Sequence, residues 1–341
     1  MNGMPDLSDP RYIGITTTIP VEIVLAAGLV PVDLNNLFIA APNAAELVAR
    51  AELDGYPRSV CGWIRGLYST ALACGVRRVL AVTQGDCSQT HAMMETWEAQ
   101  GIEVVPFAYP YDRDAELLRA QMTRLAERLG TTMEAAEDVR RALAPVRKNV
   151  ARIDELTRTR GSVTGLENHL WQVQCSDFNG DPERFAREVE AFLAEAEQRA
   201  PGPEMLRIGY AGVPPIMPDI YGFLENRGAR VVFNEVQRQF TMADSLDVDL
   251  VEQYRRYTYP YSVFGRLEDI GRNLEARRIE GLIHYVQSFC FRQIEDMLVK
   301  RSVTTPTLTL EGDAPSPLDA RNRLRLEAFL ETLQARRKVR R

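Results

Sequence analysis

The sequence predicts an α/β protein of two doubly wound, parallel-sheet domains with a helical insertion between them. Three observations lead there. Short apolar segments alternate with amphipathic ones early in the chain and again late, and strand, helix and strand in such short succession imply a right-handed parallel crossover. Residues 112 to 160 carry helical spacing only. A-P-G-P at 200 to 203 is the clearest linker signal, and the alternation restarts beyond it. A chain of 341 residues can bury two cores of this kind. The expected divisions are residues 1–160, an α/β domain with a helical extension, 161–203, a helical connector, and 204–341, a second α/β domain.

Taken in order, residues 1 to 15 read as a polar lead-in. T-T-I-P-V-E-I-V-L-A-A-G puts Pro20 at the N1 position of a helix, a glutamate in its first turn and Gly28 just past its end. L-V-P-V-D-L follows as a short strand, and N-A-A-E-L-V-A-R-A-E-L is a helix with Asn43 as its cap. A helix opens at Cys61 in V-C-G-W-I-R-G, the chain turns at Gly75, and Val76 to Thr83 is an apolar strand. A Gly-Asp-Cys turn leads into S-Q-T-H-A-M-M-E-T-W-E-A-Q, a helix closed by Gly101, and I-E-V-V-P-F is the next strand. In the insertion, Thr131 and Glu134 stand three apart as a capping box, and Pro145 should kink or break the helix that continues to Arg160. Asp181 caps a further helix with Pro182 at N1. Beyond the linker come the strands L-R-I-G-Y-A, A-R-V-V-F-N-E-V, L-I-H-Y-V-Q-S and P-T-L-T-L-E-G, separated by helices and closed by R-N-R-L-R-L-E-A-F-L-E-T-L. The two halves share architecture without an alignable sequence repeat.

Composition narrows the functional classes. A net charge of −6 gives no general attraction to phosphate backbones. The basic tail A-R-R-K-V-R-R reads as the end of a solvated helix. No apolar run reaches membrane-spanning length, and M-N-G-M-P-D-L-S-D-P lacks the basic and apolar regions of a secretion signal. These features predict a soluble, cytoplasmic protein with no nucleic-acid or membrane partner. Five cysteines, none in C-x-x-C spacing, exclude a zinc ribbon and leave buried thiols, nucleophiles or metal ligands.

Three of those cysteines have a common setting. Cys87 lies just past the carboxyl end of one strand, Cys290 just past the end of another in G-L-I-H-Y-V-Q-S-F-C, and Cys61 begins the helix before the Cys87 strand. In open parallel sheets, ligands gather outside the carboxyl ends of the strands. If the two domains face each other across that rim, three thiolates converge, and three thiolates with one open position suit an iron–sulfur cluster with a substrate-accessible iron. Spacing alone leaves the other account open: cysteine is among the most buried residue types, and strand ends commonly hold core thiols. Cys74 reads as core, and Cys175 as core or surface.

At these residues the sequence resembles the 2-hydroxyacyl-CoA dehydratase family, which includes benzoyl-CoA reductase subunits and double-cubane cluster proteins. The resemblance begins with I-P-V-E-I-V-L-A-A-G-L-V-P-V. It runs through V-C-G-W-I-R-G and G-D-C-S-Q-T-H-A-M-M-E-T, and returns in D-P-E-R-F, G-L-I-H-Y-V-Q-S-F-C, T-P-T-L-T-L-E-G-D and R-L-R-L-E-A-F-L-E. It implies two flavodoxin-like domains with a [4Fe–4S] cluster between them, held by Cys61, Cys87 and Cys290. It also implies an acyl-CoA substrate, an ATP-dependent iron–sulfur activator protein that injects one electron, and dehydration through a ketyl radical. Dehydratases of this family usually pair two different subunits, so a homodimer or a heterodimer with a paralogous subunit is expected. Five cysteines cannot supply the six ligands of a double cubane, and R-V-V-F-N-E-V-Q-R-Q-F lacks the further cysteine of many relatives, which favours a single cluster. A cluster-carrying electron-transfer or accessory subunit, a reductase relative and a cluster-free binder are the competing readings.

The acid–base candidates are His91, one helical turn after Cys87, and Glu311, at the end of a strand. A helix-surface histidine accounts for His91 equally well, and Glu311 and Asp313 could instead cap the next helix. Asp86 adjoins Cys87. His284 reads as a satisfied core residue and Arg65 as a solvated surface arginine.

Overall fold

In the computed structural model, which describes residues 4–340, eight strands form two four-stranded sheets, all parallel. The first contains β1 (Tyr12–Ile15), β2 (Val30–Asp33), β3 (Arg78–Gln84) and β4 (Glu103–Ala108) in the order β2-β1-β3-β4. The second contains β5 (Leu206–Ala211), β6 (Ala229–Asn234), β7 (Gly281–Gln287) and β8 (Thr307–Gly312) in the order β6-β5-β7-β8. The strand sequences are short and apolar because helices cover both faces, and β6 is buried at every position.

The likeness of the halves extends to their helices. Between β2 and β3 lie Leu34–Ala40, Ala44–Leu53 and Gly62–Ala73, and between β6 and β7 lie Glu235–Gln239, Leu250–Arg256 and Val263–Ala276. Four helices separate the sheets in the chain: Ala115–Leu129, Met133–Thr159, Gly165–Val173 and Pro182–Gln198. Asp181 caps the last with its carboxylate on the Arg184 N–H. Among the described residues, no helix is long and apolar enough to cross a membrane.

Several local expectations fail for identifiable reasons. Tyr12–Ile15 is a buried inner strand and not a polar lead-in; at four residues it is too short to show a period, and residues 1–3 lie outside the described ones. The Leu34–Ala40 helix was not anticipated; the Asp33 carboxylate accepts the Asn35 N–H and starts it. Pro20 is the cap residue of its helix and not N1, and Asn43 occupies a cap position without a side-chain cap bond. The cap before the long helix is Thr132, one residue beyond the expected Thr131, and its hydroxyl accepts the Ala135 N–H. That helix runs unbroken through Pro145 for 27 residues, since a buried face along its length outweighs the one backbone bond a proline removes. The basic tail continues the Ala320–Arg340 helix, and Arg341 lies outside the described residues.

Apolar packing joins the halves into a shared core. Val79 and Ala81 of the first sheet belong to one buried cluster with Ile208, Tyr210 and Ile283 of the second. A second cluster sets Val150, Ile153 and Leu156 of the long helix with Ile13, Ile15 and Val82, and adds Tyr254, Tyr257 and Tyr261 from the second half. Each such side chain contributes about 1.5–3 kcal/mol by burial.

Two buried polar ties run across this packing. The Glu22 carboxylate, wholly buried, accepts from Arg147 Nη1 at 2.6 Å and Gln253 Nε2 at 2.8 Å, and the Tyr254 hydroxyl lies 2.8 Å from its other oxygen. Asp154 on the long helix accepts from Arg277 at 2.7 Å, from Asn168 at 2.9 Å and from Gln172 at 3.1 Å. Burial would raise the Asp154 pKa, but the Arg277 guanidinium and the Asn168 amide outweigh it and hold the carboxyl below its ordinary value.

Removing one partner of a buried pair strands the other charge. Arg147→Met should therefore cost about 3–5 kcal/mol in urea unfolding, and adding Glu22→Met to it should recover part of the loss. The depressed Asp154 pKa makes its contribution fully present above the unfolded-state value of about 4 and lost as pH falls through the lower folded value. The stability gap between the wild type and Asp154→Asn should accordingly be constant near neutral pH and close under acid, as read from unfolding curves at a series of pH values.

Candidate metal centre

In each sheet the chain order reverses direction between two neighbouring strands, β1 and β3 in the first and β5 and β7 in the second, and ligands of such sheets bind outside the carboxyl ends at that point. The two reversal points open onto one cavity of about 110 Å³. Thr16 to Thr18 follow β1, Asp86 and Cys87 follow β3, Val213 and Pro214 follow β5, Cys290 follows β7, and all of them line it. Cys61 lines it as well.

The three thiols are placed alike, each where a helical turn begins. Cys61 caps the Gly62–Ala73 helix, and the backbone N–H groups of Ile64 and Trp63 face its sulfur. The Gln89 N–H faces Cys87, whose carbonyl accepts from Thr90 at the start of the next helix. Cys290 precedes the short turn Phe291–Glu295, with the Arg292 N–H toward its sulfur. Glycines allow these segments to meet. A Cβ on Gly62 would collide with the Asp313 carbonyl of the other half, and one on Gly66 with the Phe38 ring. Gly85 has φ +105°, a conformation closed to ordinary residues, and a Cβ there would lie 2.8 Å from Pro260.

Hydrogen bonds within each half fix the rim. Gln287 donates to the Asp313 carbonyl at 2.8 Å and accepts from the Tyr285 hydroxyl at 2.6 Å. Arg292 reaches the Tyr259 carbonyl at 2.9 Å and Glu295 at 2.9 Å, with its guanidinium 4.4 Å from the centre of the Tyr259 ring. The Cys61 N–H donates to Gln89 Oε1 at 3.2 Å, linking the segments that carry the first two thiols.

Burial dominates the electrostatics. It pushes the Cys61 thiol up to about 12 and raises Cys87 and Cys290 as well, and the negative charge each would acquire opposes ionisation of the others. Burial also lifts the Asp86 carboxyl to about 7, against the pull of Arg292. Three thiolates cannot coexist in such a place without a compensating cation, and a coordinating metal deprotonates its thiols outright. Among the described residues, no three His, Cys, Asp or Glu side chains stand close enough to hold a single ion, so a mononuclear site of zinc type does not fit. A polynuclear cluster takes each thiolate on a different iron and keeps the thiols further apart. The indole N–H of Trp63 is buried in the cavity wall without a hydrogen-bond partner, and the Thr18 and Tyr257 hydroxyls face each other there, which leaves one O–H between them free to donate; donors of this kind suit the sulfurs of a cluster. The donor set and the wall therefore fit an iron–sulfur group.

The structure does not bring the acid–base candidates to this cavity. His91 is exposed, and its Nε2 is 3.0 Å from the Thr83 carbonyl. Glu311 is exposed at the end of β8, accepts from the Ser288 hydroxyl at 3.0 Å and lines a neighbouring cavity with Asp313. Arg65 is buried and bonded to Glu52, contrary to the surface position expected of it. His284 is buried with Nδ1 2.7 Å from Asp296, and Cys74 and Cys175 are core residues. Sequence reasoning missed Asp33, Trp63, Tyr257 and Tyr259, which line the thiol cavity, and Arg292 beside it. The run Y-T-Y-P-Y, three aromatics at alternate positions with a proline before the last, was the available signal for the tyrosines.

Among curated proteins, none matches the chain. A family model described as 2-hydroxyglutaryl-CoA dehydratase, D-component, matches residues 16–333, which takes in β2 to β8 and all three thiols of the cavity. The chain belongs to that dehydratase family.

Proposed function

We propose that the chain is an iron–sulfur 2-hydroxyacyl-CoA dehydratase-like enzyme whose Cys61, Cys87 and Cys290 hold a [4Fe–4S] cluster. The observation that carries this reading is the convergence of three thiols, from three loops and both sheets, on one cavity that offers unpartnered hydrogen-bond donors. When bound, the cluster would supply one-electron transfer and a Lewis-acidic iron. The reaction is loss of water from an acyl-CoA thioester, the hydroxyl from C2 and a proton from C3, by way of a ketyl radical; one electron is delivered by an ATP-dependent iron–sulfur activator protein and given back when the enoyl-CoA forms. The chain works as a homodimer or beside a paralogous subunit, in the cytoplasm.

Its own residues have three tasks. The helical N–H groups at Cys61, Cys87 and Cys290 stabilise negative sulfur. Trp63, Phe240, Tyr257 and Tyr259 wall the cavity and keep water from a radical. The free O–H of the Thr18 and Tyr257 pair offers a hydrogen bond to sulfur or to substrate oxygen.

Protein purified without oxygen should be brown and contain about four irons and as many sulfides per chain. Cys61→Ala, Cys87→Ala and Cys290→Ala should each lose most of that iron while Cys74→Ala retains it; iron retained by all four variants would rule out the assignment. Gly62→Ala should also lower the iron content without touching a thiol, since its methyl group forces the Cys61 helix away from the Asp313 carbonyl. With activator, ATP and 2-hydroxyacyl-CoA esters, the iron-loaded protein should release the enoyl-CoA; iron without turnover would point to an accessory subunit.

A further inference from the structure

We propose that the acyl group this chain accepts is uncharged and apolar, and that a dicarboxylic acyl group such as 2-hydroxyglutaryl is discriminated against; the inference rests on the dehydratase reading above. The reacting carbons are the first three of the acyl chain, so the acyl end of the thioester must reach the thiol cavity. Besides the thiols, the ionisable side chains in that wall are Asp33, Asp86 and the two tyrosines, and among the described residues no lysine, arginine or histidine lines it. The arginines around the cavity already have partners. Arg292 is bound by Glu295 and the Tyr259 carbonyl, Arg266 by Glu235 and Glu295, and Arg65 by Glu52.

The space that an acyl chain could extend into has the same character. A cleft of about 750 Å³ shares Asp33, Asn35, Asn36, Trp63 and Pro214 with the thiol cavity. Its inner wall is apolar, with Val32, Ile39, Val173 and Met217 among its residues. Its two arginines, Arg11 and Arg184, are on the exposed side and already paired with Asp9 and Glu188. His169 also lines it, and burial drives that imidazole down to about 3, which leaves it neutral.

A second carboxylate on the acyl chain would give up its water and meet no cation in return, which is the costliest form of burial. Thiolate sulfurs and the two aspartates would add repulsion when charged. An alkyl or aryl chain gains by displacing water from the same walls, and even single methylenes are discriminated by tenfold or more in apolar pockets.

The test is a matched pair of ligands. The anaerobically purified protein is titrated calorimetrically with 2-hydroxyglutaryl-CoA and with 2-hydroxy-5-methylhexanoyl-CoA, in which an isopropyl group replaces the distal carboxylate at nearly equal size. The apolar ester should bind at least tenfold more tightly. Equal or tighter binding of 2-hydroxyglutaryl-CoA overturns the inference and leaves the dehydratase reading intact. Binding of neither ester by iron-loaded protein overturns the dehydratase reading, and the inference with it.

Discussion

A carboxylate with no exposure to water must be matched by its neighbours, and Glu22 is matched by groups from distant parts of the chain. Arg147 comes from the long helix, while Gln253 and Tyr254 come from the second half. The Tyr254 hydroxyl also lies 2.7 Å from the Ile19 carbonyl, so the segment after β1 is held from both sides. Three residues beyond Tyr254 the chain reaches Tyr257, and two further on Tyr259, both in the wall of the thiol cavity. One desolvated charge thus sets the register in which the second half meets the first. Asp154 and Arg277 make a comparable tie on the long helix, so the gap between the sheets is a property of the packed core and not of a hinge.

Within that frame the thiols answer to two opposed demands. Burial excludes water, and it also makes sulfur anions expensive, as the raised thiol pKa values show. Local backbone geometry offsets part of this cost, because each sulfur has at least one backbone N–H of the turn that follows it facing its way. Such turns can sit together only where side chains are missing at the crossing points, and Gly62, Gly66 and Gly85 provide those crossings. The motif V-C-G-W-I-R-G is therefore a packing instruction as well as the carrier of a cavity thiol.

What the sequence made legible was what is encoded locally. Gly85 marks one strand end, and the change from the apolar run 282–286 to a helical pattern marks the other, so Cys87 and Cys290 could be placed at one edge of each sheet before the sheets were seen. Fold class followed from the same punctuation. The cavity wall was not legible, because Tyr257 and Tyr259 owe their position to the Glu22 tie made at a sequence distance of more than 200 residues. The spacing of His91 from Cys87 points it at the cavity only if the helix is already running at Cys87, but the helix begins at Thr90 and the imidazole turns back to the strand before it. Glu311 does end a strand at the right edge of the sheet, yet β8 is outermost, away from the reversal between β5 and β7 where the crevice opens. Being at the carboxyl edge and being at the crevice are different conditions, and only strand order separates them.

The matched strand orders and matched helix trios make the two halves duplicates of one architectural unit. Cys87 and Cys290 hold equivalent stations in that unit, each after its third strand. Cys61 caps the helix that leads into the first of those strands, and the corresponding cap in the second half is Ser262. The two units are therefore not exact copies at this point: a sulfur opens the third helix of one trio and a hydroxyl opens that of the other. The duplicated framework thus carries an unequal share of thiols, two from the first half and one from the second, into a single gap.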